Sequence, residues 1–167
     1  ATNVGGDAYT GIDGVEFEAE SSVTGGTVGT ISEVKGSQAP TLYRSFREGD
    51  ITLDKSLPNG TYDVTFHFAE HADIGGGERV FDVIVNGERR IKDLDVMAWR
   101  DGKVISGLTV ATAAVEVADG RLTASFDASA GEPVLSAVVV RENRPRSDDW
   151  ELVWNDEFDV DGAPDPA

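Results

Sequence analysis

Residues 61–87, TYDVTFHFAEHADIGGGERVFDVIVNG, decide the fold. Tyr62, Val64, Phe66 and Phe68 fall on one side of an extended chain, and Asp63, Thr65 and His67 on the other. Successive side chains of a strand point to opposite faces, so this alternation predicts a half-buried strand. The glycines Gly75, Gly76 and Gly77 then predict a mobile hairpin loop. A second strand is expected over Val80–Val85, ending at Asn86-Gly87, the strongest short signal for a two-residue hairpin turn.

Outside this stretch the same grammar recurs. Asn59-Gly60, Asp101-Gly102 and Asp119-Gly120 are further turn pairs, and the chain holds 19 glycines in 167 residues. No segment keeps a helical period for long. Many short strands joined by tight turns predict an all-β protein, a jelly-roll β-sandwich of two antiparallel sheets. Its core is expected at Tyr62, Val64, Phe66, Phe68, Phe81, Val83, Val85, Val117, Leu122, Phe126 and Val138. The length suits one domain with a full core.

Composition removes several function classes. The net charge of −17 argues against nucleic acid and anionic membranes as partners. No run approaches the ~18 apolar residues of a membrane span. There is no cysteine, hence neither disulfide nor thiolate metal site. Only two histidines exist, His67 and His71, and no G-x-S-x-G elbow accompanies them, so a hydrolytic triad has no support. Gly75–Gly77 sits between strands and lacks the spacing of a phosphate loop. Asp93 and Asp95, two apart, are expected to share the face of a solvated strand edge. Asn59-Gly60-Thr61 fits a glycosylation sequon but reads first as a turn.

The string Y-x-V-x-F-x-F-A-E … R-V-F-D-V-x-V-N-G closely resembles malectin and the malectin-like carbohydrate-binding modules (family fifty-seven type) of polysaccharide-degrading enzymes. The resemblance covers about residues 1–141. It opens at Val4–Thr10 (VGGDAYT), continues through Leu42-Tyr43-Arg44-Ser45-Phe46-Arg47 and Lys92–Val96, and closes at Pro133–Val140. The strands follow from periodicity; sugar binding is implied by the resemblance alone.

Sugars present an apolar C–H face and a rim of hydroxyls, so a site for them needs a flat ring beneath and planar polar groups around. The candidates are Tyr9, Tyr43, Phe46 and Trp99, with Arg44, Arg47, Glu48, His71 and Asp73 beside them. Trp99, next to the Arg100-Asp101-Gly102 turn, is the one most expected to be exposed. The family's contact tyrosine falls at Glu48, its aromatic pair near His71-Ala72, and its acidic contact close to Gly131-Glu132. The framework is thus shared and the contact residues differ, which argues against malectin's own ligand, a glucosylated glycan end.

Glu16, Glu18 and Glu20 alternate and share one strand face, resembling the E-A-E strand of related sugar-binding sandwiches with a structural calcium. Those relatives add a carboxylate on the last strand, where this chain has Ser136-Ala137. No cofactor is required, and a structural calcium is the one metal the resemblance implies. Asp159-x-Asp161-Gly162 is a weaker calcium signal, without the closing glutamate.

Leu135–Val140 is the last strand expected; Arg141–Arg146 (RENRPR) closes it and reads as a linker, placed at 142–149, with 150–167 as a separate piece. Residues 148–167 hold eight acidic and no basic residues. W-E-L-V-W-x-D-E-F followed by G-x-P-D-P resembles the opening strand of the laminarinase and agarase hydrolases (glycoside hydrolase family sixteen), truncated here; the alternative is an acidic tail. That family's E-x-D-x-x-E string is absent, and glycoside hydrolysis needs two placed carboxylates. The expectation is therefore a non-catalytic, monomeric module that carries a covalently linked hydrolase to a polysaccharide. The target would be a laminarin-like β-1,3-glucan or an agar-type galactan. A chain that opens on Ala1 suits a secreted protein whose upstream segment has been removed. The alternative is a structural spacer or interaction domain that binds no sugar.

Overall fold

The computed structural model describes residues 1–35, 37–102 and 107–144. Twelve strands are present among them: β1 (Thr2–Asn3), β2 (Tyr9–Thr10), β3 (Glu16–Ala19), β4 (Val23–Thr30), β5 (Ser45–Ser56), β6 (Gly60–Ala69), β7 (Val80–Val85), β8 (Glu88–Leu94), β9 (Gly107–Val117), β10 (Arg121–Ala130), β11 (Val134–Leu135) and β12 (Ala137–Glu142). Two single helical turns accompany them, a 3₁₀ turn at Pro40–Tyr43 and α1 at Val96–Trp99.

The strands form two sheets. One runs β2-β3-β1-β12-β6-β9; the other runs β11-β5-β10-β7-β8, with β4 also on β5. Every pairing is antiparallel except β1 with β3. Between the sheets lies the expected core: Val64, Phe66, Phe68, Val83, Val85 and Leu122 are fully buried and Phe81, Val117 and Val138 almost so. Phe126 stands edge-on to Phe66 and Phe81, with centroids 5.9 and 6.3 Å apart. Burial of such a side chain contributes roughly 1.5–3 kcal/mol. The all-β sandwich is as the alternation predicts.

The β7–β8 turn is the predicted hairpin, with Asn86 and Gly87 both in the left-handed region at φ 48° and 78°. Two other expectations need correction. Segment 70–79 is not a hairpin loop, because β6 and β7 lie in different sheets; it is a crossover. The expected last strand, 135–140, is likewise two strands. Leu135 pairs with Arg47 in one sheet and Ala137 with His67 in the other, so the chain changes sheet at fully buried Ser136. Ser136 N–H donates to His67 O at 2.8 Å, and its carbonyl accepts from Val4 N–H at 2.9 Å. Apolar alternation cannot show such a change, since both strands bury their inner faces in one core.

A second apolar cluster occupies the far face of the first sheet. Phe17, Leu42, Tyr43, Ala69, Ala137 and Val139 form it, with Tyr9, Val15, Val34 and Ala39 packed against it. The turns at 11–15 and 37–43 fold back over this face, which a two-layer sandwich would leave to solvent. Beyond Glu142, Asn143 N–H still donates to Thr61 O at 2.8 Å. The readings of 145–167 as linker, truncated hydrolase strand and weak calcium loop lie outside the described residues.

Candidate functional site

The crossover between β6 and β7 builds the site. At its start Glu70 is fully buried; at its end Arg79 is 4% exposed. A buried charge is tolerated only when paired and hydrogen-bonded. Arg79 Nε donates to Glu70 Oε2 at 2.6 Å and Nη2 to Glu70 Oε1 at 3.2 Å, so one guanidinium staples the two ends of the crossover. Ala72 N–H also donates to Glu70 Oε1, at 2.9 Å. Nη2 reaches Glu48 Oε1 at 2.6 Å, and Nη1 donates to the carbonyl of Glu132. Burial works against the Arg79 charge, but the bonds to Glu70 and Glu48 outweigh it and hold its pKa above the ordinary arginine value.

His71 lies flat on Phe46, ring centroids 3.9 Å apart and planes within 15°. Its Nε2 is buried and makes no hydrogen bond to a described residue; Glu48 Oε1, 3.4 Å away, is out of line. Burial, only partly offset by Glu48, lowers the imidazole pKa, so the ring is neutral at pH 7. Thus Phe46, Glu48, His71 and Glu132 meet around Arg79 at one end of the sandwich. Glu48, His71 and Glu132 lie at or near the positions where the resemblance leads one to expect sugar contacts.

The loop beside them is held as well. Asp95 caps α1 through Oδ1, which accepts from Ala98 N–H at 3.0 Å, while Oδ2 accepts from Gly77 N–H. Gly75 N–H donates to Glu78. Asp93 and Asp95 therefore share no solvated strand edge: Asp93 sits at φ 47°, exposed, and Asp95 turns inward. This cap ties the glycine loop to the turn bearing Trp99, which is 52% exposed.

The remaining sequence candidates are dispersed. Arg47 is held by Glu20, with Nε and Nη2 each 2.7 Å from a carboxylate oxygen, and donates to Gly25 O at 2.6 Å. It therefore clamps β4 and the end of β3 to β5 and offers no free donor fork. Tyr43 is buried in the far-face cluster, and Tyr9 is half-buried against Phe17, centroids 6.0 Å apart. Arg44 and Asp73 are exposed. Sequence reasoning missed Glu70 and Arg79. The signal was a pair of charges flanking two buried strands, one at the exit of β6 and the other at the entry of β7.

Two of the three glutamates of the calcium expectation already have cationic partners. Both Glu20 oxygens are taken by Arg47, and Glu18 faces Lys55 at 3.4 Å. Among the described residues no group of three or more His, Asp or Glu is arranged to hold a metal.

Comparison with known proteins defines the class. The family model described as "Malectin domain" matches residues 1–143. The chain is 34% identical over 112 residues to Receptor-like protein 4 of Arabidopsis thaliana, covering 65% of this chain and 18% of that protein. It is 31% identical over 108 residues to Malectin of Danio rerio, covering 58% and 37% respectively. The chain thus spans well under half of these curated relatives. Among solved structures, a Bacteroides uniformis beta-glucuronidase superposes with TM-score 0.72 at 17% identity, over 84% of this chain and 18% of that one. The ANXUR2 extracellular domain of Arabidopsis thaliana gives TM-score 0.72 at 16% identity, over 83% and 47%. Fold and family together define a malectin-like β-sandwich domain. The chain belongs to the malectin domain family.

Proposed function

We propose that the Phe46–His71 end of the sandwich binds a polysaccharide and that the domain brings an attached glycoside hydrolase to it outside the cell. The observation that supports this is the convergence of Phe46, Glu48, His71 and Glu132, with His71 Nε2 buried and without a hydrogen bond to a described residue. A buried donor or acceptor left unpaired costs about 1–3 kcal/mol, and a sugar hydroxyl would remove that cost on binding. Trp99 supplies exposed aromatic area for the apolar face of a pyranose ring. The target is a laminarin-like β-1,3-glucan or an agar-type galactan, neutral polymers that a chain of net charge −17 does not repel. A tethered module raises the local substrate concentration near the hydrolase to roughly the millimolar range.

One observation favours the spacer reading instead: Glu48 is already engaged by Arg79, and Arg47 by Glu20. Affinity electrophoresis of the full chain in laminarin, agarose, mixed-linkage glucan and chitin separates the two. Retardation in one gel, reduced about tenfold in apparent affinity by Trp99→Ala, supports the binding reading. Equal mobility in every gel supports the spacer.

A further inference from the structure

The far face of the first sheet carries a groove of about 400 Å³, separate in its residues from the site around Arg79. Strand alternation creates it. Val64, Phe66, Val138 and Val140 point into the sandwich core, so Thr65, His67, Val139 and Arg141 point the other way, with Thr65 paired to Val139 and His67 to Ala137. The folded-back turns supply walls, including Asp13 and Gln38. The floor is apolar and aromatic, from Phe17, Leu42, Tyr43 and Val139, all buried.

The polar groups are placed and only partly used. Tyr43 Oη lies 3.0 Å from His67 Nδ1 and 3.1 Å from Thr109 Oγ1. If the Tyr43 hydroxyl proton goes to Nδ1, the neutral ring carries its own proton on Nε2, for which no described residue provides an acceptor. Arg141 is exposed and forms no ion pair with a described residue. An aromatic floor ringed by an amide, a carboxylate, a guanidinium, a hydroxyl and an imidazole N–H matches the two surfaces of a sugar, an apolar face and a hydroxyl rim. The volume lies in the range of small-ligand sites. One carboxylate and one guanidinium on the walls balance, which fits an uncharged ligand.

We infer that this groove is a second carbohydrate site, taking a short segment of a neutral glycan through Phe17, Tyr43, His67, Thr65, Gln38 and Arg141. It shares its ligand class with the loop-end site and none of its residues. Two sites on one rigid domain would let a single polysaccharide chain be held at both, with a gain in avidity and no new contact.

The test is a titration of the ¹⁵N-labelled full chain, followed by amide shifts, with laminarihexaose, cellohexaose, agarohexaose and chitohexaose. The expected result is saturable shifts at Thr65, His67, Val139 and Arg141 with at least one of these sugars, unchanged in His71→Ala. Gln38→Ala and Arg141→Ala, both at exposed positions, should each weaken that response about fivefold, the size of one lost hydrogen bond. Thr65→Trp, which fills the groove, should abolish it while leaving the rest of the spectrum in place. Shifts confined to the Glu48, His71 and Glu132 region overturn the groove and leave the loop-end site standing. Silence at both places, with the spectrum folded, overturns both. Groove shifts that survive Thr65→Trp and both alanine variants also overturn the assignment.

Discussion

The Glu70–Arg79 pair is the largest electrostatic commitment in the described chain. With Glu70 fully buried, Arg79→Met would leave a carboxylate without its cation, which costs about 3–5 kcal/mol. Urea denaturation should show a loss of that size, and a loss under about 1 kcal/mol would mean the pair is solvated. His67 makes a second residue-level prediction. Burial lowers its pKa to about 4, with Asp13 opposing the shift. Between the ordinary value near 6.5 and about 4 the unfolded chain holds a proton that the folded one lacks. In this window stability falls as pH falls, by on the order of 2–3 kcal/mol in total. His67→Gln keeps hydrogen bonding to Tyr43 and removes the titration. Its stability relative to the native chain should therefore rise on going from pH 7 to pH 4. A constant difference across that range would contradict the buried neutral imidazole.

At the scale of elements, Asp95 joins α1 to the glycine loop through two different carboxylate oxygens. Asp95→Ala removes a helix N-cap, worth about 1 kcal/mol, and releases the Gly77 amide at once. Hydrogen exchange at Gly77 should then quicken about tenfold or more, with the β7 amides unchanged; an unaltered Gly77 rate would show that the loop is held by other contacts. Strand content was legible because Tyr62–Phe68 and Val80–Val85 alternate without a break, and the Asn86-Gly87 hairpin because both residues accept positive φ. Sheet membership was not. The change of sheet at Ser136 and the crossover at 70–79 depend on which partner each strand meets, and inward-facing apolar residues look alike in either sheet. The site was half legible. Phe46, Glu48, His71 and the exposed Trp99 stood out by type and place, whereas Arg47 is engaged as a β-strand clamp and Tyr43 lies on the far face, away from the loop end. Glu70 and Arg79 were invisible because charged residues beside a loop are ordinarily solvated, and only the closed crossover buries them.

At the scale of the whole molecule, the sandwich places one candidate site at an end of the two sheets and another on the outside of one. The first rests on a stacked His71–Phe46 pair and a buried Nε2 that no described residue bonds; the second on a groove that the turns at 11–15 and 37–43 complete. Binding at one such site should be weak, because a sugar trades hydrogen bonds to water for hydrogen bonds to protein at small net gain. The most direct measurement is calorimetric titration of laminarihexaose and agarohexaose into the full chain and into His71→Ala. The account predicts saturable heat with one of them, at a dissociation constant of roughly 10⁻⁵–10⁻³ M, weakened about tenfold or more in the variant. No heat with either sugar from a folded chain, or equal affinity in His71→Ala, would contradict it.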